Sequence, residues 1–161
     1  MRKISEKDFN EKYYLYKNTI YSIAYSYVHN SYDADDIVQE VFLKYLKSSE
    51  VFDTLDNEKY FLIRVTINTS LSHLKNSWKN KVSLDEEVVN NVKSFDEKKN
   101  DEMFEIIYNL PHKYKEVIIL HYYEDLSIKD ISKIIKISIS NVKKRLERAR
   151  NLIRERDENN G

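Results

Sequence analysis

The chain has 161 residues, enough for one ordinary domain or two small ones, and its 27 basic and 27 acidic side chains cancel overall. A single glycine, a single proline (Pro111) and no cysteine exclude a glycine-rich phosphate loop, a hairpin-rich β architecture, a disulfide framework and a thiolate metal site. With 34% charged and 41% apolar residues, the composition predicts an all-α fold, and the lack of any run of about 20 apolar residues predicts a soluble, cytoplasmic chain with no membrane partner.

In chain order, residues 9–29 place Tyr13, Tyr16, Ile20, Ile23, Ala24, Tyr27 and Val28 at helical spacing. Asn30-Ser31-Tyr32-Asp33 breaks that pattern and offers Asp33 as the cap of a second helix. There Ala34, Ile37, Val38, Val41, Phe42, Tyr45 and Leu46 form one unbroken apolar stripe. Asp35, Asp36, Gln39, Glu40 and Leu43 lie off it. Such a face, acidic and amide-bearing with one apolar knob, suits either solvent or a basic protein surface.

A third helix is expected over residues 60–78, with Phe61, Leu62, Val65, Leu71 and Leu74 as core. Residues 64–81 contain no acid, while Arg64, Lys75, Lys79 and Lys81 are interleaved with Asn68, Thr69, Ser72, His73, Asn76 and Trp78. Cations track a single-stranded backbone, amides read extruded bases and rings stack on them. A solvated basic helix carrying a half-buried Trp78 fits the pattern equally well. Residues 83–100 mix acids, Asn and Lys without an apolar stripe, so a flexible linker is expected between domains at 1–82 and 101–161.

The second domain opens with Met103, Phe104, Ile106, Ile107 and Leu110, turns at Pro111, and continues as a helix from Lys113 that buries Val117, Ile118 and Leu120. Ser127, with Asp130 three positions on, predicts a capped helix start, and Ser138 predicts another eleven residues later. Ile128, Ile131, Ile134 and Ile135 fill the short helix between, with Lys136-Ile137 as the turn. Two short helices joined so tightly must cross steeply, as in a helix-turn-helix. On the second of them Ile139, Val142, Leu146, Ala149 and Ile153 share a seam, while Ser140, Asn141, Lys144 and Arg148 face away and Lys143 adds charge. Residues 136–156 hold eight Lys or Arg against two acids. That excess, following a capped helix-turn-helix, suits a duplex major groove, where phosphates reward charge and base edges reward Arg, Lys, Asn and Ser.

No catalytic constellation is present. The four histidines are scattered without metal-ligand spacing, so no metal, no cofactor and no enzymatic activity is expected. Two binding readings remain open on the residues alone: a stand-alone helix-turn-helix regulator that binds its operator as a dimer, or an interaction protein that uses these surfaces only for other proteins.

Three segments carry a family resemblance. Leu110-Pro111, Tyr114-x-x-Val117-Ile118, His121-Tyr122-Tyr123-Glu124-Asp125-Leu126-Ser127 and Asn141-Val142-Lys143-Lys144-Arg145-Leu146-x-Arg148-Ala149-Arg150 resemble the C-terminal domain of bacterial RNA polymerase sigma factors, most closely the two-domain extracytoplasmic-function (ECF) type. Asp33-Ala34-Asp35-Asp36-Ile37-Val38-Gln39-Glu40-Val41-Phe42-Leu43 resembles the sigma segment that docks on the clamp coiled coil of the polymerase's largest subunit. Phe61-Leu62-x-Arg64-Val65-x-x-Asn68 is similar to the segment that recognises and opens the minus-ten promoter element. Phe61 stands where the family usually has Trp, Ser72 where it has Asp and Lys75 where it has Arg, which bears on minus-ten preference. The resemblance implies a sigma factor binding core polymerase through Asp35, Asp36, Gln39, Glu40 and Leu43. It further implies minus-ten DNA on Asn68, Ser72, Lys75, Asn76 and Trp78, and the minus-thirty-five duplex on Ser140, Asn141, Lys143, Lys144 and Arg148. An anti-sigma factor is a candidate further partner.

Overall fold

The computed structural model of the chain describes residues 3–81 and 101–160, with side chains over 3–76 and 102–159. The expected linker at 83–100 and the side chain of Trp78 lie outside the described residues. Every regular element among the described residues is helical, and the chain divides into two compact units, Met1–Val92 and Lys93–Gly161.

The first unit is three mutually packed helices, α1 (Glu6–Val28), α2 (Ser31–Lys47) and α3 (Leu55–Lys81). Ser5 Oγ caps α1 by accepting from the Asp8 amide at 3.1 Å, and Glu6 and Asp8 complement the positive end of the helix dipole. The helix ends where His29 turns left-handed, at φ 52°, donating its amide to the Tyr25 carbonyl. Asn30, not Asp33, is the cap of α2: its extended backbone lets Oδ1 accept from the amides of Tyr32 at 2.8 Å and Asp33 at 3.2 Å. Asp33 instead sits in the first turn, where its charge meets the dipole.

The apolar stripe of α2 is buried from Ala34 to Tyr45, with Leu46 at its margin, against Tyr16, Ile20 and Ala24 of α1 and Leu62 of α3. The buried face of α3 differs from the expected one. It comprises Leu62, Ile63, Thr66, Ile67, Thr69 and Ser70, leaving Phe61, Val65, Leu71 and Leu74 half-buried. Three of those six residues are hydroxylic, and each is satisfied locally. Thr66 donates to the Leu62 carbonyl at 2.6 Å, Ser70 donates to the Thr66 carbonyl at 2.7 Å, and Thr69 accepts from Lys44 Nζ at 2.9 Å. Small side chains whose polar atoms are already paired can be buried at little cost and let the helices approach closely.

One charged group ties all three helices together. Glu58, near the start of α3 and only 6% exposed, accepts from Tyr16 Oη of α1 at 3.2 Å and Tyr45 Oη of α2 at 3.0 Å, and pairs with Lys12 Nζ of α1 at 2.8 Å. Burial, and then the adjacent Glu58 charge, push the Tyr16 phenol above the ordinary phenol range. Removing the carboxylate with Glu58→Ala takes an acceptor from two buried phenols and the ion-pair partner from Lys12. It is expected to cost about 3 kcal/mol in a urea titration of the first unit, against about 1 kcal/mol for Tyr16→Phe.

The second unit contains α4 (Asp101–Tyr108), α5 (His112–Ile118), a π-helical turn (Ile119–Tyr123), α6 (Ile128–Ile135) and α7 (Ile139–Asn160). Four consecutive residues, Val117, Ile118, Ile119 and Leu120, are buried, which a regular α-helix on a surface cannot arrange on one face. The wider turn answers this. Its closing bond runs from the Glu124 amide to the Ile119 carbonyl at 3.1 Å, and His121 Nδ1 meets the Leu126 carbonyl at 2.9 Å. Lys115 is 1% exposed, donates to the Tyr108 carbonyl at 3.1 Å, and lies 4.4 Å from the centre of the Tyr108 ring. Its ammonium thus meets the negative end of α4 and an aromatic face.

Burial pushes the Lys115 ammonium down to about 8 from its usual 10.5. Below about pH 8 the folded and unfolded chains both carry the charge and the burial penalty is fully present. Between about 8 and 10.5 the unfolded chain binds the extra proton, so stability rises with pH. Above 10 the phenols of Tyr108 and Tyr123, both raised by partial desolvation, oppose the trend. Denaturant midpoints of the second unit should therefore gain about 2 kcal/mol between pH 8 and 10, and Lys115→Met should flatten that rise.

Candidate nucleic-acid and polymerase interfaces

Two serines set the angle of the α6–α7 motif. Ser127 Oγ accepts from the Asp130 amide at 3.0 Å and Ser138 Oγ from the Asn141 amide at 3.1 Å, so each helix start has an orphan amide satisfied. Between them Lys136 is left-handed, at φ 59°, and Ser132 Oγ donates to the Ile137 carbonyl. A glycine would adopt this backbone freely; here the serine bond holds a lysine in it.

On α7 the buried seam is Val142, Leu146 and Ala149, with Ile153 half-buried. Ile139, expected on that seam, is 45% exposed. At roughly 100° per residue it stands about 45° from the centre of the arc that the other three describe, in the opening turn. Ser140, Asn141, Lys144 and Arg148 are all exposed and lie opposite the seam; Lys143 is exposed on its flank. Arg150 is directed elsewhere, its Nη1 donating to Tyr122 Oη at 2.8 Å. Residues Ser140 to Arg148 span about 12 Å of helix, a length that fits within a major groove.

In the first unit, Asp35, Asp36, Gln39 and Leu43 are exposed on one arc of α2, and Leu43 is 54% open. Glu40 closes that arc, with its side chain 44% exposed, and pairs across to α3. Its Oε2 lies 3.0 Å from His73 Nε2 of α3 and its Oε1 3.7 Å from Lys44 Nζ. Asn68, Ser72, Lys75 and Asn76 are all exposed along one strip of α3 opposite its buried face, with the half-buried Arg64 in line. His73, which the sequence interleaves with these residues, stands about 140° around the helix from Asn68 and faces α2. No pattern within α3 could signal this, because the partner carboxylate is 33 residues away.

Among the described residues no group of three or more His, Cys, Asp or Glu side chains could hold a metal, and no helix is long and apolar enough to cross a membrane.

Comparison with known proteins accounts for both units. Residues 13–80 match the family model Sigma-70 region 2, and residues 101–153 match Sigma-70, region 4. The chain is 36% identical over 141 residues to the RNA polymerase sigma factor SigV of Bacillus subtilis (strain 168), covering 86% of this chain and 84% of that protein. It is 28% identical over 159 residues to the ECF RNA polymerase sigma factor SigW of the same organism, covering 87% and 83%. Among solved structures, the sigma factor RpoE of Bartonella quintana, in complex with the anti-sigma factor NepR, shares the fold with a TM-score of 0.70 at 23% identity over 94% of this chain and 98% of that one. With both sigma regions present in order, and one relative above 30% identity over most of its length, the chain belongs to the extracytoplasmic-function RNA polymerase sigma factors, the subunits that bind core polymerase and direct initiation at promoters.

Proposed function

We propose that the work of this sigma factor is divided among three helix faces: the acidic arc of α2 docks on the clamp coiled coil of the polymerase's largest subunit, the polar strip of α3 holds the melted minus-ten strand, and α7 reads the minus-thirty-five duplex. The division into a domain at 1–82, a linker at 83–100 and a domain at 101–161 belongs to this reading. The observation that carries it is the exposure of Ser140, Asn141, Lys144 and Arg148 opposite a buried seam, on a helix capped by Ser138. Serine and asparagine at a positive helix end, followed by a cation one turn later and another two turns later, combine phosphate and base contacts on one surface.

The α2 arc offers carboxylates and an apolar knob to a basic coiled coil. The α3 strip offers Asn68, Ser72, Lys75 and Asn76, amides, a hydroxyl and a cation but no acid, to a single strand, and Trp78 follows two residues later in the sequence. Neither surface contains a catalytic group, and the chain acts in the cytoplasm as a binding subunit rather than as an enzyme. An anti-sigma factor is a further partner in this reading, consistent with the complex solved for the Bartonella relative.

The test mixes purified protein, sigma-free core polymerase and fragmented DNA from the source organism, and sequences the transcripts. Discrete start sites sharing two spaced upstream elements, present only when both proteins are added, are expected. Tight duplex binding by the protein alone, with no transcripts, would instead support a stand-alone regulator. On the promoters so found, Arg148→Ala should lower transcript yield by about tenfold, the value of one good base contact, while leaving polymerase affinity unchanged. Loss of polymerase affinity as well would mean that the α7 face is assigned wrongly.

A further inference from the structure

We propose that Glu40, through His73 and Lys44, is a positioning residue that sets the rotation of the strand-binding strip of α3, rather than a docking contact for polymerase. This rests on the assignment of that strip to the minus-ten strand. It departs from the resemblance, which would use Glu40 for docking along with its neighbours Asp35, Asp36, Gln39 and Leu43.

The geometry begins with where the core ends. The last buried residue described on α3 is Ser70; beyond it Leu71 and Leu74 are half-buried, and Ser72, Lys75 and Asn76 are exposed. Apolar packing therefore fades where the distal half of the strip begins. At that point two polar links cross from α2. Glu40 Oε2 takes His73 Nε2 at 3.0 Å, and Lys44 Nζ donates to the buried Thr69 Oγ1 at 2.9 Å. Lys44 also lies 3.7 Å from Glu40 Oε1, so a single carboxylate-ammonium pair holds α3 at two positions one turn apart. Two attachments a turn apart on one side of α3 restrain both its rotation and its tilt away from α2.

His73 follows Ser72 directly and stands two residues before Lys75. A strand read by Asn68, Ser72, Lys75 and Asn76 together requires those side chains to be held within about 10–20° of one orientation. The Glu40 arm supplies this restraint from outside the strip, without itself touching the strand. Its bonds are half-exposed, and groups of that kind contribute modestly, so the loss should be read as about three- to tenfold in strand affinity.

The experiment uses holoenzyme reconstituted from core polymerase and the full-length chain. Two quantities are measured for each variant: affinity for core polymerase, and affinity of the holoenzyme for a premelted promoter whose non-template strand carries the mapped minus-ten element. Glu40→Ala and His73→Ala should each weaken strand binding about three- to tenfold, the double variant should be no worse than the weaker single, and polymerase affinity should stay within about twofold. His73→Gln, whose amide can still donate to Glu40, should restore most of the loss. Thermal melting checks that every variant keeps its fold, and if Glu40→Ala melts early, the His73→Ala and His73→Gln pair carries the test.

A fall in polymerase affinity for Glu40→Ala, with His73→Ala unchanged in both assays, would make Glu40 a docking contact and overturn the proposal. Additive losses in the double variant would overturn it as well. Two control variants separate it from the reading on which it rests. Polymerase affinity unchanged in Asp36→Ala faults the α2 docking face alone. Strand affinity unchanged in both Lys75→Ala and Asn76→Ala faults the α3 strip and removes the proposal with it.

Discussion

The first unit depends on a carboxylate almost closed off from bulk water. Glu58 draws two phenols and an ammonium from α1 and α2 onto the first turns of α3. An ionised group so placed is costly to bury and tolerable only while every partner is present. Its partners can reach it only if α1, α2 and α3 meet in one register. That register is what turns Asp35, Asp36, Gln39 and Leu43 outward on α2 and Asn68, Ser72, Lys75 and Asn76 outward on α3. The functional faces are in this sense the remainder left once the Glu58 cluster and the apolar stripe of α2 have chosen their directions.

In the second unit the corresponding constraint is the four-residue buried run at 117–120. A chain that buries four successive apolar residues needs contacts all round that segment, and α4, α6 and α7 pack on α5 or the π-helical turn that carry it, with Ile106, Ile107, Ile131, Val142 and Leu146 among their own buried residues. Arg150 reaches back to Tyr122 of the π-helical turn. Seating α7 against this centre leaves its opposite face, with Ser140, Asn141, Lys144 and Arg148, unoccupied by the protein's own packing. Cations on that face also avoid the fate of Lys115, whose burial forces its ammonium toward neutrality.

Much of this was legible in the residues because it is local. The α2 stripe follows the helical period without a miss and is buried accordingly. The Ser127 and Ser138 caps bond the amides that their spacing implied. What escaped was set by partners distant in sequence, or by backbone chemistry that several residues could supply. Asn30 and Asp33 are equally good caps by type, and only the extended backbone at Asn30 distinguishes them. The buried face of α3 was misplaced because hydropathy counts Thr66, Thr69 and Ser70 as polar, whereas their hydroxyls are satisfied by carbonyls one turn back or by Lys44. The π-helical turn leaves no periodic trace. Lys136 occupies a left-handed turn with no glycine to announce it. For the site, exposure of the α7 face followed from the helical period, whereas the exposure of the α3 strip and the pairing of Glu40 with His73 required knowing how α2 lies on α3.

The balance of 27 basic against 27 acidic residues gains its meaning from this separation of faces. A uniformly mixed neutral surface would attract neither DNA nor a basic coiled coil. Here the excess cations lie at 136–156 and the acid-free stretch at 64–81, while carboxylates gather at the start of α2. A chain of zero net charge relies on these local patches rather than on its overall charge to attract duplex DNA. Each reading surface contributes only a few contacts. When both units sit on one polymerase, the second contact becomes intramolecular, and its effective concentration rises without any new bond. On the proposed division of faces, specificity belongs to the holoenzyme, because assembly on the polymerase makes two weak surfaces act as one.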